Sequence, residues 1–198
     1  VSNGGRTLLT DLDADGQPEL CVGFCGTAGV HCASLTGDLL WTNASVSHVF
    51  SLTDAQPETT PRALWVASAN GQVVTLDPQG QVHRLPNDAG QLIHHLFRAQ
   101  GTSHSTTPYC GIAYGTDGRR LALGLTDEPR SQWRYNLPAG SFPNQIRFVA
   151  AAPLLSTQDL QWVIAGPEGS LHIISQDGQF TDSFQTGSSL AGLAGGRR

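Results

Sequence analysis

The chain repeats one pattern four times: an apolar run, a tight glycine-containing turn, and a second apolar run. The turn glycines Gly29, Gly71, Gly118 and Gly169 are separated by 42, 47 and 51 residues. The second and third turns contain Asn-Gly and Asp-Gly pairs, which favour hairpins because their backbones accept positive φ angles. No segment carries a helical apolar period over about ten residues. The repeat therefore restricts the chain to a fold built of β-hairpins.

Each hairpin is flanked by two further candidate strands, so that each repeat contains four. The inner strands are expected at Arg6 to Thr10, His48 to Leu52, Leu92 to Ala99 and Ile146 to Ala152. The outer strands are expected at Leu39 to Asn43, Gln81 to Leu85, Gln132 to Leu137 and Gln179 to Phe184. Four-stranded units at a period of about 45 residues are typical of β-propeller blades, and a β-sandwich is the alternative. The sequence thus predicts an all-β propeller of four blades.

The blade boundaries are expected at 1–45, 46–88, 89–140 and 141–187 of a single domain that covers 1–198. Residues 188–198 contain an apolar run that is expected to start a further blade. Four blades plus one strand indicate a partial ring, or half of a larger one. Because open sheet faces and edges promote association, we expect a second copy or further blades to complete the ring. The chain contains no Met, which indicates a piece of a longer protein.

Composition excludes several classes of function. All basic residues are Arg, and the net charge is −5, which argues against a nucleic-acid binder. The absence of Lys excludes Schiff-base chemistry and a P-loop lysine. Apolar stretches are only a few residues long, so no membrane-spanning segment is predicted. The seven His residues are scattered, and no nucleophile has a sequence-visible base. The chain is therefore predicted not to be an enzyme.

The sharpest motif is acidic and lies between the first two expected strands. Asp11, Asp13 and Asp15 alternate along the chain, and Gly16 permits a sharp turn after them. Alternate carboxylates in a tight loop converge on one point and form an oxygen cage suited to Ca²⁺. A carbonyl of Gln17 and the carboxylate of Glu19 are further candidate ligands. A polar turn without an ion is the alternative interpretation.

The run from Thr10 to Gly23 resembles the FG-GAP or VCBS repeat of integrin-like propellers. That resemblance implies that the acidic loop binds Ca²⁺ through Asp11, Asp13, Asp15 and Glu19. It also implies an extracytoplasmic or secreted protein, since this family is commonly found there. Only a weak echo of the motif recurs, at Thr53 to Glu58. The ion is therefore expected to staple one blade and not to act in catalysis.

The segment Ala33 to Trp41 is similar to the tryptophan-docking segment of PQQ-like quinoprotein repeats. The resemblance implies that Trp41 packs against the neighbouring blade. Trp65, Trp133 and Trp162 lie in or beside strands of the other repeats and are expected in the core. Quinoprotein dehydrogenases also use a pair of adjacent cysteines, and this chain has no Cys-Cys pair.

The sequence does not decide whether the four cysteines are free thiols, form a disulfide or bind a metal. If Thr27 and Ala28 form the first hairpin turn, Cys25 faces Val30 and Gly23 faces Cys32. Alternation then places three thiols on one face, those of Cys21, Cys25 and Cys32. They are expected to be small buried thiols, to form a diagonal disulfide, or to bind a metal. Cys110 occupies the place of Cys21 in the third repeat.

The predicted function is a non-enzymatic, calcium-stapled propeller module that binds a protein or glycan partner. The connections Asp54 to Arg62 and Gln100 to Pro108 are candidate contact loops, and solvated loops are the alternative. Asn43 lies in an Asn-Ala-Ser glycosylation sequon. Two alternative functions are a fragment of a propeller enzyme, either a quinoprotein or a polysaccharide lyase or hydrolase, and a half-ring that self-associates.

Overall fold

The computed structural model describes residues 3–55, 62–71, 73–84, 91–99, 107–126, 130–140, 149–154, 159–188, 190 and 192–193. These residues form β-strands and one short 3-10 turn, Pro167–Gly169. The strands are grouped in four antiparallel sheets of four strands each, so the predicted all-β fold with four blades is confirmed. None of the described residues forms an apolar helix of membrane-spanning length.

Each sheet is a meander in which strands adjacent in sequence are adjacent in space. The first sheet has β1 to β4 at Asn3–Thr10, Glu19–Cys25, Val30–Ala33 and Leu39–Asn43. The second has β5 to β8 at Val49–Asp54, Leu64–Ser68, Val73–Leu76 and Val82–Arg84. The third has β9 to β12 at Leu92–Arg98, Tyr109–Tyr114, Arg120–Leu125 and Ser131–Asn136. The fourth has β13 to β16 at Val149–Ala152, Gln161–Ala165, Ser170–Ser175 and Phe180–Gln185.

Within the described residues, the strand ends agree with the predicted ones or differ from them by one to three residues. The predicted strand ends Leu85 and Ile146 lie outside the described residues. His48, expected to begin a strand, precedes β5 because its φ angle of 51° is left-handed. The segment 188–198 lies largely outside the described residues, and 188, 190, 192 and 193 are not in a strand. The chain divides into two compact units, Val1–Leu96 and Phe97–Arg198, with the division inside β9. The assignment of one domain to the whole chain stays a prediction.

The core of the first unit lies between its first two sheets. Cys21, Val30 and Cys32 of the first sheet share a buried cluster with Val49 and other residues of the second. A Cβ atom added at Gly23 would lie 2.5 Å from Val49 Cγ1, so a glycine permits the sheets to approach at this point.

The core of the second unit is built around Trp162, Ile164 and Ile174, which share a buried cluster with Ile112 and Trp133. Burial of each large apolar side chain contributes about 1.5–3 kcal/mol. Trp65, in the first unit, is 2% exposed. The expectation that tryptophans serve the core is confirmed for Trp65, Trp133 and Trp162.

Candidate functional site

Three of the predicted metal ligands come together in the loop between β1 and β2. Asp11, Asp13 and Asp15 each place a carboxylate oxygen within 4.8 Å of the others. The loop is shaped by its own side chains, because Asp13 Oδ1 accepts the N–H of Asp15 at 3.1 Å and Asp15 Oδ1 accepts that of Gln17 at 2.7 Å. Ala14 has a φ angle of 66°. The result is a cluster of hard oxygen donors, the kind that Ca²⁺ prefers.

Asp11 is the most enclosed member of this cluster. Its Oδ2 pairs with Arg62 Nη1 at 2.9 Å, and the same guanidinium donates to the Asp11 carbonyl. Asp11 Oδ1 is buried and has no hydrogen-bond partner among the described residues. Because an unpartnered buried oxygen is unfavourable, a bound cation would stabilise it. Sequence reasoning missed Arg62, which lies 51 residues away and carries no local signal.

Glu19 stabilises the acidic loop from its buried side. Its side chain is buried, and its Oε2 accepts the N–H of Leu12 at 2.6 Å. Leu12 is also buried, so this residue and Glu19 fix the loop against the core. The group of close carboxylates contains the three aspartates and not Glu19. Ligation of an ion by Asp11, Asp13, Asp15, Glu19 and the Gln17 carbonyl stays a prediction.

The cysteine register differs from the prediction. Gly23 faces Val30 and Cys21 faces Cys32. The reason is a longer turn, which extends from Phe24 to Gly29 and is closed by a 2.9 Å hydrogen bond from the N–H of Phe24 to the carbonyl of Gly29. Cys21 donates its S–H to Cys32 across 3.5 Å, and this hydrogen bond, with burial, raises the pKa of Cys21 well above its usual range.

The other two cysteines lie apart from this pair. Cys25 is exposed, and its thiol contacts the carbonyl of Val49, a residue of the buried cluster that contains Cys21 and Cys32, at 3.8 Å. The three thiols therefore share one face as predicted, and Cys21 and Cys32 form the close pair. Cys110 is fully buried, and burial raises the pKa of its thiol. All four cysteines are free thiols in this structure.

Two tryptophans on outer strands pack against glycines of the following sheet. A Cβ atom at Gly80 would lie 2.6 Å from the Trp41 ring, and one at Gly178 would lie 2.4 Å from Trp133 Cβ. Both glycines have positive φ angles, 76° and 84°. Only a residue without a side chain fits such a turn beneath an indole ring. Trp41 therefore contacts the neighbouring sheet, as the resemblance to quinoprotein repeats implied.

The sequon asparagine is used inside the fold. Asn43 Nδ2 donates to the carbonyl of Gly80 at 2.7 Å, and its Oδ1 accepts both the N–H and the hydroxyl of Ser45. A glycan would replace one of the two hydrogens of Nδ2, the atom that contacts Gly80. The candidate contact loops lie mostly outside the described residues, which omit 56–61 and 100–106.

A buried histidine joins two hydroxyl groups, an arrangement that the sequence did not reveal. Tyr135 Oη lies 2.9 Å from His172 Nδ1, and Ser170 Oγ lies 3.1 Å from His172 Nε2. Ser170 donates its only hydroxyl proton to the Pro167 carbonyl at 2.8 Å, so Nε2 is the donor to Ser170 and Tyr135 donates to Nδ1. Burial lowers the pKa of His172 and raises that of Tyr135. The network suits a neutral structural imidazole and not an activated serine.

Leucines cross the outer face of the first sheet. Leu9 faces Leu20, Leu20 faces Ala33, and Ala33 faces Leu39. We call Leu9, Leu20 and Leu39 the leucine row; they are 57%, 38% and 61% exposed. The adjacent row contains Cys21 and Cys32, which point to the opposite, buried face. Apolar residues thus lie on both faces of this sheet, and the face that carries the leucine row is exposed to solvent.

Comparison with known proteins supports the fold. No family model and no curated protein sequence matches the chain. It is similar to a chain in the crystal structure of BBS1N in complex with ARL6DN, with a TM-score of 0.62, 15% identity, and coverage of 98% of this chain and 60% of that one. It is also similar to virginiamycin B lyase from Staphylococcus aureus, with a TM-score of 0.55, 14% identity, and coverage of 96% and 60%.

A third similar structure is the β-propeller domain of Cps50 (Swd1) from Myceliophteria thermophila, with a TM-score of 0.50, 18% identity, and coverage of 96% and 58%. The chain therefore spans about three fifths of these proteins. Likeness at such low identity concerns the fold alone. The chain has a β-propeller fold.

Proposed function

We propose that this chain is a non-enzymatic β-propeller module that binds a protein partner through the leucine row and carries one calcium ion in its first blade. The observation that carries the interaction is the exposure of three leucines in register across one sheet face. Contiguous apolar surface of this kind marks interaction sites in soluble proteins. Full burial of an exposed leucine contributes about 1.5–3 kcal/mol of transfer free energy, and burial of the exposed 38–61% of each of these side chains would contribute about half of that.

The chemistry of this face favours a protein over a glycan as the ligand. The opposite face of the same sheet already packs on the apolar surface of the second sheet. The leucine face, which is also apolar, would pack on an apolar protein surface in the same way. A similar propeller, BBS1N, was crystallised in complex with ARL6DN. The partner is another protein or a second copy of this chain, which would complete a larger ring.

Site-specific photocrosslinking tests the interaction. A photoreactive amino acid is placed at Leu39 and, as the matched control, at Leu35, which is 62% exposed but lies outside the row. We expect protein adducts at position 39 in the cells that produce the protein, and few at 35. An adduct of doubled mass would identify a second copy, and any other mass a distinct partner. Equal or absent labelling at both positions would contradict the proposal.

Calcium binding is the second part of the proposal. Asp11, Asp13 and Asp15 would hold the ion, and the unpartnered Asp11 Oδ1 supports this assignment. The resemblance of the loop to FG-GAP and VCBS repeats also supports it, and an extracytoplasmic location would supply enough Ca²⁺. Its role would be to fix the connection between β1 and β2.

Thermal melting in EDTA and in excess Ca²⁺ tests this part. A ligand at 100 times its dissociation constant adds about 2.7 kcal/mol, or roughly 5–11 °C for a chain of this size. Asp13→Ala should abolish the shift, whereas Asp117→Ala, which removes the same charge from another exposed turn, should retain it. Coincident curves in EDTA and Ca²⁺ would show that the acidic loop is only a turn.

A further inference from the structure

Cys21 and Cys32 lie opposite each other on β2 and β3, fully buried, with their Sγ atoms 3.5 Å apart. The hydrogen bond from Phe24 N to Gly29 O fixes the alternation of the ladder. Cys21 and Cys32 are therefore a non-hydrogen-bonded pair, the type whose facing side chains are closer. The Cα atoms of such pairs are about 4.5 Å apart, within the range of about 4.4–6.8 Å that a disulfide spans.

We propose that Cys21 and Cys32 are a modification site, at which a low-molecular-weight disulfide oxidises the thiol pair to a cross-strand disulfide. One cysteine thiolate attacks a sulfur of the oxidant and releases one thiol, which leaves a mixed disulfide on the protein. The second thiolate attacks the protein-bound sulfur of that mixed disulfide and expels the other thiol. The cysteines lose two protons and two electrons, and the oxidant is reduced to two thiols.

The position of the bond gives it a structural consequence. β2 begins at Glu19, directly after the acidic loop, and Cys21 lies two residues further on. A disulfide would therefore tie the strand that leaves the loop to β3. Because it restricts the unfolded chain, the bond should raise the melting temperature by about 5–10 °C. The first exchange step requires local opening of the sheet, since both sulfurs are buried.

The third sheet provides a matched control. Cys110 is also fully buried but faces Gly124, so it has no thiol opposite. Cys25 is exposed and reports that the oxidant is active. A Cys21–Cys32 bond would distinguish the observed register from the predicted one, in which these residues are not opposite.

The experiment refolds the full chain from denaturant in a buffer of reduced and oxidised glutathione, alkylates the remaining thiols after denaturation, and maps the peptides by mass spectrometry. We expect a Cys21–Cys32 linked peptide, alkylated Cys110, and a melting temperature that falls on reduction. Cys32→Ala should leave Cys21 alkylated and remove the effect of reduction. If Cys21 and Cys32 stay alkylated while Cys25 becomes glutathionylated, or if Cys21 links to Cys25, the proposal is wrong.

Discussion

Trp41 and Trp133, on two outer strands, allow the contribution of a buried indole hydrogen bond to stability to be measured, because one indole N–H has a partner and the other has none among the described residues. Both pack on a turn glycine of the following sheet. Trp133 Nε1 donates to the carbonyl of Gln176 at 2.7 Å, whereas Trp41 Nε1 is buried without a partner among the described residues. Replacement by Phe removes the same atoms at both positions. The two variants therefore differ in the hydrogen bond and in burial, since Trp133 is buried and Trp41 is partly buried.

The structure gives the expected magnitude. A typical hydrogen bond contributes about 0.5–1.5 kcal/mol, and an unpartnered buried donor costs about 1–3 kcal/mol. Trp133→Phe loses the hydrogen bond, but Gln176 keeps a second one from the Thr107 hydroxyl at 2.8 Å. Trp41→Phe instead removes an unpartnered donor. We expect Trp133→Phe to lower the free energy of unfolding by about 2 kcal/mol more than Trp41→Phe.

Hydrogen exchange followed by mass spectrometry is the suitable assay, because the two tryptophans belong to different compact units. Protection of β3 amides reports on Trp41→Phe, and protection of β11 amides reports on Trp133→Phe. Under conditions where exchange follows global opening of each unit, the ratio of protection factors gives the free energy. Equal losses, or a larger loss for Trp41→Phe, would refute the hydrogen-bond argument.

Two further predictions concern the second unit. Gly178→Ala should cost about 1–3 kcal/mol more than Gly118→Ala in urea unfolding, because both glycines have positive φ angles but only Gly178 lies against Trp133; equal costs would show that the contact is loose. Because burial lowers the pKa of His172 in the folded state below the unfolded value of about 6.5, the stability that its neutral form contributes is fully present above that pH. It is lost as the pH falls through the folded pKa. His172→Gln should flatten this part of a urea-midpoint profile, and an unchanged profile would contradict the assignment.

The repeat could be read from the sequence because hairpin signals are local. Asn70-Gly71 and Asp117-Gly118 each fix a turn within a few residues, and the apolar runs beside them become strands. The first hairpin was predicted less well. Its apolar residues, from Leu20 to Cys25, occupy both faces of β2, so periodicity does not fix the register. The hydrogen bond from Phe24 to Gly29 fixes it instead and brings Cys21 opposite Cys32.

The contacts that complete the candidate sites are distant in sequence. Arg62 reaches Asp11 across 51 residues, and Tyr135 reaches His172 across 37. Neither pair has a spacing that secondary structure would dictate. The exposure of the leucine row could not be predicted from the sequence either, because Leu9 and Leu39 are apolar residues in strands and would be expected in the core. Only the register and the packing of the first sheet show which face the second sheet covers.

The first sheet carries three separate features, and their positions make the proposals independent. The aspartate cluster lies in the loop between β1 and β2, the thiol pair lies on the face that the second sheet covers, and the leucine row lies on the opposite face. Asp13→Ala changes charge in the loop without altering either face. Leu39 variants act on the open face alone, and Cys32→Ala acts on the buried one. A variant that impaired all three would therefore point to unfolding of the sheet and not to loss of a site.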